Sequence, residues 1–271
     1  MFNRNLIVVI LFGACLIVAT IGTKSEKLKR KNGESSSSDE IYEIFYDKDV
    51  NSTKMVEYRI QDIPFSKFDD AVNLMAEYYN KLEPMTESLD IGTTEKEDDK
   101  VCWRSLINYN LSVCCLKIGR DGSEELVGVN LLYVQTPNNE SLEEIKPDMA
   151  DVFDFDVFST YNVDYYLSSD GILVHPDYRG RKIGEKMLRA REAICRKHDI
   201  EVTSSVFTSD SSNIIAERAG FKHIDVAVSW NEFRRKYPKS RFAAIKDSFI
   251  TRRTLKFKLS DKKLKSSSFR K

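Results

Sequence analysis

The chain has no excess of charge of either sign: 42 Lys and Arg stand against 42 Asp and Glu over 271 residues. Affinity for a phosphate backbone comes from surplus cations, so this balance excludes a nucleic-acid partner and confines any anion site to a local cluster. Cysteine is scarce too, with five in all. Cys15 lies in an apolar run, and Cys102, Cys114, Cys115 and Cys195 show neither zinc-ligand spacing nor a disulfide framework. They read as reduced structural thiols in a reducing, cytosolic surrounding, with no metal site. Two phosphate-binding signatures are missing as well: the chain carries neither the G-x-G-x-x-G nor the G-x-x-x-x-G-K-[ST] spacing, which excludes a dinucleotide fingerprint and a P-loop. The remaining composition, 41% hydrophobic and 11% aromatic, is that of one globular domain with extensions.

Only one apolar run is long. Leu6 to Gly22 would form a helix of roughly 26 Å, near the lower limit for crossing a bilayer. Arg4 precedes it, whereas Lys24, Lys27, Lys29, Arg30 and Lys31 follow, a bias that keeps the downstream side cytoplasmic. Residues 1–23 are therefore expected to be a single-pass anchor on a cytoplasmic domain. Thr20 and Gly22, small enough for a cleavage site, keep a cleaved signal peptide and a secreted product as the alternative. Triplets at Asn51, Asn110 and Asn139 would be glycosylated only in that case. Residues 24–54, charged and serine-rich, read as a linker, residues 55–260 as the domain, and 261–271 as a basic flexible tail.

Periodicity gives the domain its elements. Val56, Tyr58 and Ile60 alternate as in a half-buried strand, and Phe68, Val72, Met75, Ala76 and Tyr79 recur at helical spacing, with Pro84 bounding that helix. A less regular helix covers Asp99 to Ile107. The runs LSVCCLKIG and ELVGVNLLYV flank Gly119-Arg120-Asp121-Gly122 as a hairpin. Pro137 to Asp164 is acidic and aromatic, an insertion, after which YYLSSDGILV returns as a strand. A helix with Ile183, Met187, Ala190 and Ile194 on one face follows, then the strand EVTSSVF, the short helix SSNIIAERAGF, and two closing strands joined by a long aromatic loop. The order predicts an α/β (α+β) fold: a mixed, mostly antiparallel seven-stranded sheet with helices on both faces, preceded by one apolar N-terminal helix.

The densest chemistry lies in VHPDYRGRKIGEKMLRARE, Val174 to Glu192. Pro176 ends strand pairing, and the amides of Arg179 to Gly184 fall on a loop and a first helical turn, where free N–H groups and the helix dipole cradle an anion. Gly180 and Gly184 allow close backbone approach, while Arg179, Arg181 and Lys182 add charge suited to a pyrophosphate. The bland reading of such a loop is a solvated basic turn.

The segment ILVHPDYRGRKIGEKML resembles the acyl-CoA signature of the GNAT acetyltransferase superfamily: Arg179 and Gly184 match its ends, Gly180 and Ile183 match common intervening choices, and Lys182 stands where Gly is usual. Within that superfamily, KLEPMTESLDIG is similar to a segment of insect-type arylalkylamine (dopamine) N-acetyltransferases in which an acidic residue precedes Pro. The resemblance implies the GNAT fold from about Met55 to Leu259 and acetyl-CoA as co-substrate, held by Leu173, Val174, Arg179, Gly180, Arg181, Lys182, Ile183, Gly184 and Asn213. It implies Glu83 as general base, with Glu87 and Asp90 as alternatives. A backbone N–H near Leu173 or Val174 would stabilise the acyl oxygen. Many members protonate the departing thiolate with a Tyr four residues before the Gly-Phe pair, but Ala216 occupies that position. Thr208 and Ser212, with Ser209 and Ser211 beside them, become the candidate donors, against an ordinary N-capping role for Ser211 or Ser212.

The expected reaction is acetylation of a small arylalkylamine such as dopamine, serotonin or tryptamine by a monomeric, membrane-tethered enzyme. Glu143, Glu144, Asp148, Asp151, Asp154 and Asp156, interleaved with Phe153, Phe155, Phe158 and Tyr161, would attract an aromatic cation, or would simply be a solvated acidic face. The alternatives are a polyamine or a protein lysine or N-terminal acetyltransferase, and a noncatalytic acyl-CoA-binding membrane protein.

Overall fold

The computed structural model describes residues 39–89, 93–137 and 154–259. The apolar run Leu6 to Gly22, linker residues 24–38, Asp90, Asn139, the acids Glu143 to Asp151, Phe153 and the basic tail lie outside them. Among the described residues no helix is long and apolar enough to cross a membrane.

Eight strands form one sheet: β1 Ile41–Lys48, β2 Met55–Asp62, β3 Val113–Ile118, β4 Glu124–Gln135, β5 Tyr166–Val174, β6 Val202–Phe207, β7 Ile224–Ser229 and β8 Phe249–Lys256. Their order across the sheet is β1-β2-β3-β4-β5-β6-β8-β7, and every neighbouring pair is antiparallel except β5 and β6. The expectation of seven strands is one short. β1 lies inside the segment read as linker and pairs with β2 from Ile41 to Lys48. Its outward residues Ile44 and Tyr46 are exposed, so as a sheet edge it shows only part of the alternation that marks a buried strand. The Tyr42 hydroxyl ties it down, donating to Asp62 Oδ1 at 2.6 Å.

Helices cover both faces, as expected. On one face α1 Phe68–Leu82 and α3 Thr93–Ile107 pack through Ala71, Val72, Met75, Trp103 and Leu106 against Cys114, Leu116, Val129, Leu131 and Leu173. On the other, α5 Ile183–Lys197 lays Ile183, Met187, Ala190 and Ile194 on Ile60, Val113, Cys115, Val127 and Leu167. β3 is thus buried on both sides, which accounts for its adjacent cysteines. Cys102, Cys114, Cys115 and Cys195 are all buried free thiols, and burial pushes Cys195 up to about 12, leaving it an inert packing residue at neutral pH.

Short helices fill the connections: α2 Pro84–Leu89, α4 Val157–Tyr161, α6 Asp210–Arg218 and α7 Trp230–Lys236. The last lies in the segment read as an aromatic loop. It packs Trp230 and Phe233 with Phe242, Ile245 and Ile250, a cluster that Met85 of α2 also joins. In the described part of the acidic insertion, Asp156 caps α4 and Phe155, Phe158 and Tyr161 pack on Tyr166 and Val202, so these aromatics form a small core.

If β1 belongs to the folded domain, Tyr42→Phe should lower stability by about 1 kcal/mol through the lost hydrogen bond, visible in urea unfolding of the full chain. An unchanged midpoint would return residues 41–48 to the linker.

Candidate active site

The sheet opens at its one parallel junction. β5 and β6 share a single register pair, Leu167 with Thr203, although both strands continue beyond it. In β5 the pairing with β4 slips at Asp170, which is the extra residue of a bulge: Leu131 faces Gly171 and Leu132 faces Ser169. Gly171 has φ +153°, and a Cβ there would meet the Tyr79 ring at 2.7 Å. Beyond the bulge, His175 N–H donates to Val127 O at 2.9 Å. Backbone groups alternate sides along an antiparallel strand, so Leu173 spends its N–H on β4 while those of Ile172 and Val174 face the opening.

At the end of β5 stands the cation and glycine loop. Tyr178 anchors it: the ring is buried, and its hydroxyl donates to Glu125 at 2.7 Å. Burial first, and the Glu125 bond second, push that phenol up to about 12. Gly180 has φ +82° with open space where a Cβ would be. Lys182 is the N-cap of α5 and sits left-handed at φ +60°, ψ 17°, with no side-chain cap on the helix. This explains why glycine is usual there, since an L-residue in this conformation carries a penalty of about 1 kcal/mol. The first amides of α5 are thus left without a capping side chain. Arg179 and Lys182 are exposed and pair with nothing among the described residues. Arg181 turns back instead, donating to Lys48 O and to Asp177 O at 3.0 Å each. Ile183 points into the core, and Gly184 fits under Ile215, whose methyl would lie 2.9 Å from a Cβ. Both can offer only backbone.

Across the opening α1 breaks. Pro84 disfavours helical geometry at the residue before it, so Glu83 turns to φ −84°, ψ 119° and α2 starts with proline in its first turn. Glu83 Oε2 then accepts from Thr86 N and Thr86 Oγ1, both at 2.6 Å, while Oε1 is buried with no partner among the described residues. Glu87, one of the alternatives, is exposed. Tyr79, one turn before Glu83, is kept neutral by burial and by the charges of Glu83, Asp170 and Asp99 around it. Asp170 accepts from Trp103 Nε1 at 3.0 Å, yet burial, and secondly Asp99, raise its carboxyl to about 7. From the sequence Tyr79 reads only as part of the apolar stripe of α1 and Asp170 is passed over, although an acid followed by glycine inside an apolar strand is a bulge signal.

The candidate thiolate donors separate. Ser209 and Ser212 form a capping box: Ser212 N–H donates to Ser209 Oγ and Ser209 N–H to Ser212 Oγ, each at 3.1 Å, and Ser212 Oγ donates to Ser209 O at 2.8 Å. Ser211 Oγ is 3.1 Å from Ser209 Oγ. Thr208, at the end of β6 and half-buried, has a hydroxyl with no bond among the described residues. Asn213 is a stitch: its Nδ2 reaches Phe207 O, Ser209 O and Phe249 O, and its Oδ1 accepts from Thr251 and Arg253. Ala216 is fully buried against Leu188, Phe207 and Phe221. No group of metal-ligating side chains occurs among the described residues.

Residues 75–221 match the family described as Acetyltransferase (GNAT) family. The fold is similar to that of an insect protein assigned as arylalkylamine N-acetyltransferase 7, from the yellow fever mosquito Aedes aegypti, with TM-score 0.69 and 28% identity, covering 84% of this chain and 99% of that one. A mosquito arylalkylamine N-acetyltransferase like 5b follows at TM-score 0.58 and 16% identity, over 74% and 100% of the two chains. A Drosophila melanogaster polyamine N-acetyltransferase that forms N-acetylagmatine has TM-score 0.54 and 12% identity over the same shares. The latter two likenesses are of fold alone. No curated protein matches the sequence.

Two substitutions test this geometry. Lys182→Gly should leave the thermal midpoint of the full chain unchanged or higher, because the relieved left-handed strain is offset by about 0.4–1 kcal/mol of added chain entropy, whereas Lys182→Val should lower the midpoint through a loss of about 1 kcal/mol or more of unfolding free energy, as expected for a β-branched residue at positive φ. Equal losses in both would show that the lysine side chain, not its φ, is what matters. For Asp170, whose folded value lies above its unfolded 3.8, stability is fully present below pH 4 and is lost as pH rises through about 7. Asp170→Asn should therefore gain on the wild type between pH 5 and 8, by roughly 1–3 kcal/mol at the upper end, in denaturant titrations; a constant difference across that range would contradict the assignment.

Proposed function

The chain belongs to the GNAT acetyltransferase family and is an N-acetyltransferase, and from that premise we propose that it moves the acetyl group of acetyl-CoA onto the primary amine of a small arylalkylamine, with Glu83 as general base. The family in general uses acetyl-CoA as co-substrate. The residues present suit it: an open, positive-φ Gly180, uncapped amides at the start of α5, and the exposed Arg179 and Lys182 fit a diphosphate. Arg181 contributes to the loop's shape through Lys48 O.

Glu83 carries the reading. An alkylamine with a pKa near that of lysine is only about one-thousandth neutral at pH 7, so transfer needs a proton acceptor. Thr86 fixes one carboxylate oxygen of Glu83, and the other is buried without a partner among the described residues, beside the tyrosine that rests on the β5 bulge. Such an oxygen is oriented and unspent, which favours it as the base, directly or through water. The outward-facing Val174 N–H would donate to the acyl oxygen as it gains charge, and the alternation of β5 favours it over Leu173. The departing thiolate would take its proton from Thr208, since Ser212 is engaged in capping α6. A polyamine acceptor is the second reading, favoured by Asp170 and Asp99, whose charges surround the same tyrosine. The similarity to the mosquito protein assigned as an arylalkylamine N-acetyltransferase supports the first. The apolar N-terminal run would tether the enzyme on the cytoplasmic side of a membrane, with a cleaved signal peptide as the other possibility.

Release of CoA thiol by the full chain from acetyl-CoA, with arylalkylamines, polyamines and peptides offered in turn, tests the proposal. Glu83→Gln should cut kcat about 10²–10⁴-fold, with KM for acetyl-CoA near the wild-type value. Unchanged kcat removes Glu83 as the base, and the absence of turnover with every amine, despite acetyl-CoA binding, removes the enzyme assignment to small amines.

A further inference from the structure

Beyond Leu167 and Thr203 no backbone ladder joins β5 to β6, so some other contact must set the distance between them. A side-chain chain spans it. From α5, Arg191 Nη1 donates to Ser205 Oγ on β6 at 2.7 Å, and its Nε donates to Asn130 Oδ1 on β4 at 3.0 Å. Asn130 Nδ2 in turn donates to Gly171 O at 2.8 Å and Ser169 Oγ at 2.7 Å, on either side of the bulge, and Gly171 N–H closes the loop onto Ser169 Oγ at 3.2 Å. Every polar atom of the Asn130 amide is used.

Arg191 is an odd residue to spend here. It is 1% exposed, and no carboxylate among the described residues pairs with it; the ring of Phe221 lies 5.8 Å from its guanidinium carbon. Burial lowers its pKa to about 9, so it is still a cation at neutral pH. Burying an uncompensated charge opposes folding, and an apolar side chain of similar volume would avoid that cost. Such a residue persists where a fixed geometry is worth more than stability.

We infer that Arg191 and Asn130 form a strut that sets the width of the β5–β6 opening and seats Gly171 beneath Tyr79, making both of them positioning residues for acyl transfer. They act through backbone: the strut holds the bulge, the bulge sets the line of Ile172 and Val174, and the Gly171–Tyr79 contact sets the turn of α1 that carries Glu83. The inference rests on the acetyl-transfer reading for its kinetic consequence, but not for its geometry.

Asn130→Asp separates strut from charge. It keeps an acceptor for Arg191 and supplies the missing counter-charge, but loses the donor to Gly171 O. The expected result is a folded protein, with kcat reduced about tenfold or more and KM for acetyl-CoA changed less than about twofold, because the diphosphate cradle lies on the loop and helix start that follow β5, not on the bulge. Arg191→Met should do the same, Arg191→Lys should recover part of the loss, and the double variant should fall no further than the worse single one, the mark of residues acting as a unit. Full kcat in folded Asn130→Asp, or losses that multiply in the double variant, would overturn the strut. Hydrogen exchange reads it without activity: the bonded Gly171 and Leu173 amides should exchange faster in Asn130→Asp than in wild type, and equal rates would overturn it even if no amine is ever turned over. Should wild type prove inactive with all amines, the acetyl-transfer reading fails while the exchange result still decides the strut.

Discussion

The site depends on two parallel strands that touch once and part. The contact of Leu167 with Thr203 joins β5 to β6, and beyond it the sheet gives up backbone hydrogen bonds that an unbroken ladder would have made. Unpaired N–H and C=O groups are costly inside a protein, so such an opening persists only where something else supports and uses it. Here the support is Arg191 with Asn130 and the bulge at Asp170, and the lost ladder leaves the Val174 amide free toward the gap.

Charge is organised along that gap although the chain as a whole is neutral. One end carries uncapped helix amides with Arg179 and Lys182, and the α1 face carries Glu83, Asp170 and Asp99 around Tyr79. An anionic donor and a cationic acceptor would be drawn to opposite ends, which sorts two substrates without any net charge on the molecule. The same arrangement keeps the desolvated carboxylates away from the cations that would otherwise neutralise them, at a cost seen in the raised value of Asp170.

Much of this was legible beforehand, for identifiable reasons. The stripes of α1 and α5 follow helical spacing because their faces lie on a sheet, and the loop from Arg179 to Gly184 stands out through its glycines and charges. β1 escaped because an edge strand buries too little to show clean alternation, and because a serine-rich segment precedes it. Hydroxyls near a helix start serve as caps or as donors equally well on paper, and the capping box shows Ser212 in the first of these roles. Arg191 gave no signal at all: an arginine on an amphipathic helix is ordinarily solvated, and periodicity cannot reveal that the sheet beneath it opens. Lys182 is the instructive departure. Its mismatch with the glycine usual at that position is a backbone matter, a left-handed residue bearing a side chain, and so bears on strain before it bears on binding.

The central claim is that the amides after β5 and the free amide within it grip a CoA thioester. Titrating the isotopically labelled full chain with acetyl-CoA and following backbone amide resonances tests it most directly. The account predicts that the largest saturable shifts fall on Gly180 through Gly184 and on Val174, with Leu173 moving less. Saturable binding that leaves those amides unmoved and shifts a different surface would contradict it.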